Sequence, residues 1–153
     1  MKTKLEVINY LIGISGSSPV ANESIQQPDV INALLRWEEA NTEIQKTAWW
    51  FNQEYKFEMI PDATTKEIEV PLNVLSCEVT SERGIVKRGN KLYDTVNHTY
   101  QFDHNVYANQ LIKLEFELLD EVVIDAMRYF AAMLIAELDL EDAQKANTIG
   151  ALY

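Results

Sequence analysis

Two histidines, His98 and His104, flank Asp103 and are the first residues in this chain that could do chemistry, since imidazole and carboxylate together hold transition metals. They sit in a polar, loop-like stretch without a third strong ligand nearby, so surface or turn roles are expected. Glu137, Asp139, Glu141 and Asp142 are spaced like calcium ligands but lack the glycine that a tight calcium loop needs for its turn. Ser15-Gly16-Ser17-Ser18 has the composition of an anion-binding loop, yet it follows a helix where such a loop should lead one. Cys77, the single cysteine, lies among apolar neighbours in a strand-like run, where a thiol behaves as a small hydrophobe. No phosphate loop, nucleophile elbow, paired cysteines or His-Glu-x-x-His helix occurs. The expectation is a non-enzyme with no metal and no cofactor.

Charge is the feature that stands out. Arg83, Lys87, Arg88 and Lys91 lie close together, whereas Glu115 to Asp142 holds nine acids and one arginine, Arg128. Such polarity is either simple solvation or complementary surface on identical subunits, the arrangement that closes a head-to-tail ring. The formal net charge of −11 argues against gripping phosphate backbones. One cysteine excludes an intramolecular disulfide and points to a reducing compartment. Neither a signal peptide nor a membrane span is read, because Asp125, Arg128 and Glu137 interrupt the most apolar stretch, Val122 to Leu138.

The elements that must position these residues follow from periodicity. Leu5, Ile8, Leu11 and Ile12 predict a helix over Thr3 to Ile14, ended by the Gly/Ser/Pro cluster that follows. Pro28 and Asp29 open a second helix, whose seam is Val30, Leu34, Trp37, Asn41, Ile44 and Ala48, with Asn41 its one polar member. Asn41 is expected to bond a backbone group. After Trp49-Trp50-Phe51-Asn52 the period becomes two, with Tyr55, Phe57 and Met59 alternating with charge. Strands are expected at Ile68 and Val70, Leu72 to Val79, Ile85-Val86, Leu92-Tyr93 and Ile112 to Leu118, with a hairpin turn at Lys87 to Lys91. Leu119 to Leu138 is expected as a central helix apolar on most sides, with a thin polar stripe at Glu121, Asp125 and Arg128. The apolar end Ile149 to Tyr153 suggests a docking tail.

The fold class expected is α+β: an antiparallel helical bundle from 1–52 and 117–153 with a small antiparallel β insertion over about 53–116, in one domain of 153 residues.

Several local motifs, in order, resemble the tail tubular protein A family, the head-to-tail adaptor ring of short-tailed phages. They are Ile8-Asn9 and Ser18-Pro19-Val20; Asn41 and Ile44 leading to Ala48-Trp49-Trp50-Phe51-Asn52, where the family has glycine in place of Ala48; Ile60-Pro61-Asp62; Arg88-Gly89-Asn90-Lys91-Leu92-Tyr93-Asp94; Phe102-Asp103; and Leu119-Asp120-Glu121. The resemblance implies a ring, a dodecamer, between the portal protein and the tail nozzle protein, with double-stranded DNA passing through its lumen unbound. It implies a virion neck component, assembled in the host cytoplasm. Asn41, Trp49, Phe51, Asn52, Gly89, Tyr93 and Asp94 are then the candidate structural motif, and Arg83, Lys87, Arg88 and Lys91 the candidate subunit or portal contact. The family runs on past its long helix, so the resemblance leaves its portal-binding arm open for this chain. Alternatives are a head-completion or neck protein of another tailed phage, a small binding module, or a hydrolase built on paired carboxylates.

Overall fold

The computed structural model describes residues 2–47 and 49–139, which form a mixed α+β protein. Three α-helices, α1 (Lys4–Ile14), α2 (Pro28–Gln45) and α3 (Glu121–Leu134), accompany five strands, β1 (Gln53–Met59), β2 (Val74–Val79), β3 (Ile85–Arg88), β4 (Lys91–Asp94) and β5 (Val106–Ile112). The seam position Ala48, the acids Glu141 and Asp142, and the apolar end Ile149 to Tyr153 lie outside the described residues. Two compact units divide the chain. One is contributed by residues up to Ile44 and from Glu115 onward, the other by Gln45–Leu114.

In the helical unit Thr3 caps α1, its hydroxyl accepting from the Glu6 N–H at 3.2 Å. Val7, Ile8, Leu11 and Ile12 are the buried stripe of α1, and Val30, Ala33, Trp37, Ala40 and Ile44 that of α2. Trp37 packs on Phe116, ring centroids 5.7 Å apart. A correction goes with that contact: the expected strand Ile112 to Leu118 is not formed, the strand lying earlier, at Val106–Ile112, where none was expected, and Phe116–Leu118 is a single 3₁₀ turn that sets Phe116 against the tryptophan.

The third helix also departs from expectation. It is α-helical only from Glu121 to Leu134, and Ile135–Asp139 forms a π-helical turn. Its buried residues, Val123, Ile124, Met127, Ala131 and Ala132, occupy one face, and Val122 is 73% exposed, so the helix is not apolar-covered on most sides. Arg128 leaves the polar stripe as well. Its guanidinium lies 4.4 Å from the Tyr10 ring centroid and 4.8 Å from that of Tyr129, a weakly hydrated planar cation held between two aromatic rings.

In the second unit β5 is the central strand of an antiparallel sheet, β1-β5-β2, and β3-β4 form a separate hairpin. Met59, Ile68, Val70, Val74, Ile85, Leu92, Phe102, Val106 and Ala108 make its core. Ile68 and Val70 point inward as their alternation predicts, but no strand forms there: the neighbouring Glu67 and Glu69 make only isolated bridges, to Gln101 and Lys91. A bulge sets two residues of β1, Tyr55 and Lys56, against Asn109 alone. Lys56 has φ of 53°, and its N–H donates to the Asn109 side chain at 3.1 Å. Tyr55 is thereby 68% exposed, against the inward position that alternation assigns it. The β3-β4 turn is two residues, Gly89-Asn90, and only Gly89 takes positive φ (65°), the φ pattern of a type II′ hairpin.

Candidate assembly interface

Most of the motif residues turn out to be fasteners. The Asn9 amide bonds both backbone groups of Val20, accepting from its N–H at 2.9 Å and donating to its carbonyl at 3.2 Å, which ties the Ser18-Pro19-Val20 loop to α1. Asp62 accepts from the N–H groups of Thr64 (2.8 Å) and Thr65 (2.9 Å), and those bonds, Thr65's first, hold its carboxyl below the ordinary 3.8. Asp94 does the same for the turn after β4. It accepts from the N–H groups of Val96 (2.9 Å) and Asn97 (3.1 Å) and from the Asn97 amide (2.8 Å), and its pKa is lowered chiefly by Asn97. Phe102 is a core residue.

Asn41 and Asn52 are both buried. Asn52 donates from its amide to the Gln45 carbonyl at 2.6 Å, satisfying a carbonyl of the last turn of α2. Gln45, which sequence reasoning missed, is wholly buried and bonds the backbone of Leu114 twice, accepting from its N–H at 2.7 Å and donating to its carbonyl at 3.0 Å. The signal available was its place one turn after Asn41, beside the apolar seam. Trp49 and Trp50, in contrast, are surface residues, 40% and 72% exposed. Their rings meet edge-on at 5.8 Å, and Phe51 joins them at 5.6 Å from Trp50.

The residues with chemical potential are also engaged. His104 lies between Asp103, 2.6 Å from Nδ1, and Glu82 at Nε2, and the two carboxylates, Asp103's first, push its pKa up. Cys77 faces the Met59 sulfur at 3.8 Å, and burial pushes its thiol up. Asp139 meets Arg36 at 2.7 Å and Asn32 at 2.7 Å; the Arg36 bond holds its carboxyl low, as it raises the guanidinium. Among the described residues no group of three or more His, Cys, Asp or Glu is placed to hold a metal ion, and no helix is long and apolar enough to cross a membrane.

The four basic residues do not form one patch. Pairing of Val86 with Tyr93 and Arg88 with Lys91 puts those four on one face of the hairpin, while Lys87 shares the other face with Leu92 and reaches the Val74 carbonyl at 3.3 Å. Lys91 is bound to Glu67 at 2.8 Å, which raises its pKa. Arg88 lies 3.9 Å over the Tyr93 ring, and Tyr93 packs on Tyr100 at 4.7 Å. Arg83 is exposed in the loop before β3, with no partner among the described residues.

Polar side chains here are spent on turns, caps and backbone clasps, and aromatic and cationic groups are left at the surface. A family model described as "Tail tubular protein" matches residues 5–151. The chain belongs to the tail tubular protein family, structural proteins of phage tails. Comparison with curated proteins finds no match.

Proposed function

We propose that this protein is the head-to-tail adaptor of a phage: a closed ring of identical copies, a dodecamer, between the portal protein and the tail nozzle protein, whose lumen passes the genome. The observation that carries the reading is the family match over 5–151, nearly the whole chain. In this reading the helices form a bundle into which the Gln45–Leu114 unit is inserted. The net charge of −11 supports the channel role, because a carboxylate-lined lumen repels phosphates and lets DNA slide without sticking. Assembly takes place in the host cytoplasm and the product resides in the virion neck.

Electron microscopy of intact particles is the test. The expected result is a closed ring of this chain at the head-to-tail junction; its presence there as a lone monomer or two-fold dimer overturns the proposal.

A further inference from the structure

Both ring nitrogens of His104 meet carboxylates. Nδ1 lies 2.6 Å from Asp103, its neighbour in the chain, and Nε2 meets Glu82, which belongs to the loop between β2 and β3. A carboxylate only accepts, and a neutral imidazole has a single N–H to give. The two contacts are therefore made together by the imidazolium alone, since in the neutral ring one nitrogen lone pair faces a carboxylate.

The segment that this contact restrains is short. The β2-β3 loop is fastened at its start, where the Thr80 N–H donates to the Tyr107 carbonyl at 2.9 Å and the Ser81 hydroxyl accepts from the Tyr107 N–H at 3.0 Å. It is fastened again at its end, where the Gly84 carbonyl accepts from the Thr95 N–H at 2.8 Å. Glu82 and Arg83 lie between, and the contact of Glu82 with His104 is their one polar tie among the described residues.

We propose that His104 is a pH-sensitive clasp: as imidazolium it joins the Glu82-Arg83 segment to the turn before β5, and as neutral imidazole it lets that segment go. The surrounding charges set its direction. Asp103 and Glu82 favour the cation; Asp62 and Asp94, which share the adjoining clefts with it, have the same sign, while Lys66 in those clefts and Arg83 next to Glu82 have the opposite one. The carboxylates prevail, Asp103's bond first, and raise the His104 value above the ordinary 6.5, while the same bond holds the Asp103 carboxyl low and ionised throughout. The clasp is closed below 6.5 and opens as pH rises through the higher folded value. Arg83 is steadied while it is closed. The inference concerns one loop and stands apart from the ring reading.

Two measurements on the full chain test it. In an NMR titration, with His98→Gln to identify which of the two histidine signals belongs to His104, the His104 midpoint is expected above 6.5. Glu82→Gln, which keeps an acceptor and removes the charge, lowers that midpoint. Limited digestion with trypsin reads the loop, because cleavage after Arg83 needs the segment to come free. The wild-type rate at Arg83, divided by that of His104→Gln at the same pH to remove the protease's own pH dependence, should climb about threefold across the midpoint, the scale of a surface ion pair. The same ratio for Glu82→Gln should stay flat. Circular dichroism verifies that the variants fold, and the wild-type titration needs no variant beyond the one used for assignment. A midpoint at or below 6.5, a midpoint that Glu82→Gln does not move, or a flat wild-type ratio overturns the clasp.

Discussion

Gln45 and Asp94 show how single polar residues hold this chain in shape. A buried amide that replaces two backbone partners leaves an N–H and a carbonyl unsatisfied when it is removed, at a cost of about 2 to 4 kcal/mol. Gln45→Ala should therefore lower the melting temperature well beyond what loss of an exposed glutamine would do, read by circular dichroism against Gln26→Ala, whose parent residue is exposed. Asp94 tests the same logic through pH. Its carboxyl is held below 3.8 in the folded chain by donors that require the charged form, so its contribution is present above the unfolded value and is lost as pH falls through the folded one. Wild type should melt higher than Asp94→Asn at pH 7, and the gap should narrow as pH falls below the unfolded value and through the folded one. A gap independent of pH would assign the effect to geometry instead of charge.

At the scale of elements, two glycines separate backbone strain from crowding. Gly84 and Gly89 both hold positive φ, 82° and 65°, and a side chain there is strained by about 1 to 2 kcal/mol. A Cβ at Gly89 meets nothing within 4 Å, whereas one at Gly84 lies 2.7 Å from Val96 Cγ2 and 3.0 Å from Thr95 Oγ1. Gly84→Ala should be the more destabilising of the two, and Gly89→Asn the best tolerated, in thermal melts of the three variants. Sequence periodicity made α1, the opening of α2 at Pro28, and the β3-β4 hairpin legible because each depends on neighbours within a few residues. It failed where distant contacts decide: Trp37 draws Phe116 into a 3₁₀ turn, the bulge at Lys56 turns Tyr55 outward, and two tyrosines take Arg128 off the polar stripe. The basic cluster was legible as composition only. Its division between two faces of the hairpin follows from strand register, which pairs Arg88 with Lys91 and puts Lys87 on the opposite face. Gln45 was legible only by its place beside the apolar seam, since its partner is 69 residues away.

For the whole molecule, charge makes the sharpest statement. Thirteen basic residues against 24 acidic give −11, and three of the four hairpin cations are already engaged with Val74, Tyr93 or Glu67. A DNA-binding surface requires several cations free to displace counterions from phosphates. The protein should thus show no shift of duplex DNA in gels at physiological salt, and lowering the salt tenfold should not produce one; a micromolar, salt-sensitive complex would overturn the repulsive-lumen reading.

The Gln45 clasp also has a mechanical consequence. Residues 45 and 114 are the two ends of the sheet-containing unit, and the pair of hydrogen bonds between them holds those ends side by side. Tension passing along the chain from Ile44 to Glu115 is carried across by these two bonds and bypasses the sheet, which stays slack while the clasp holds. The loop of chain between them can therefore lengthen, shorten or be exchanged without altering the span that the helices see.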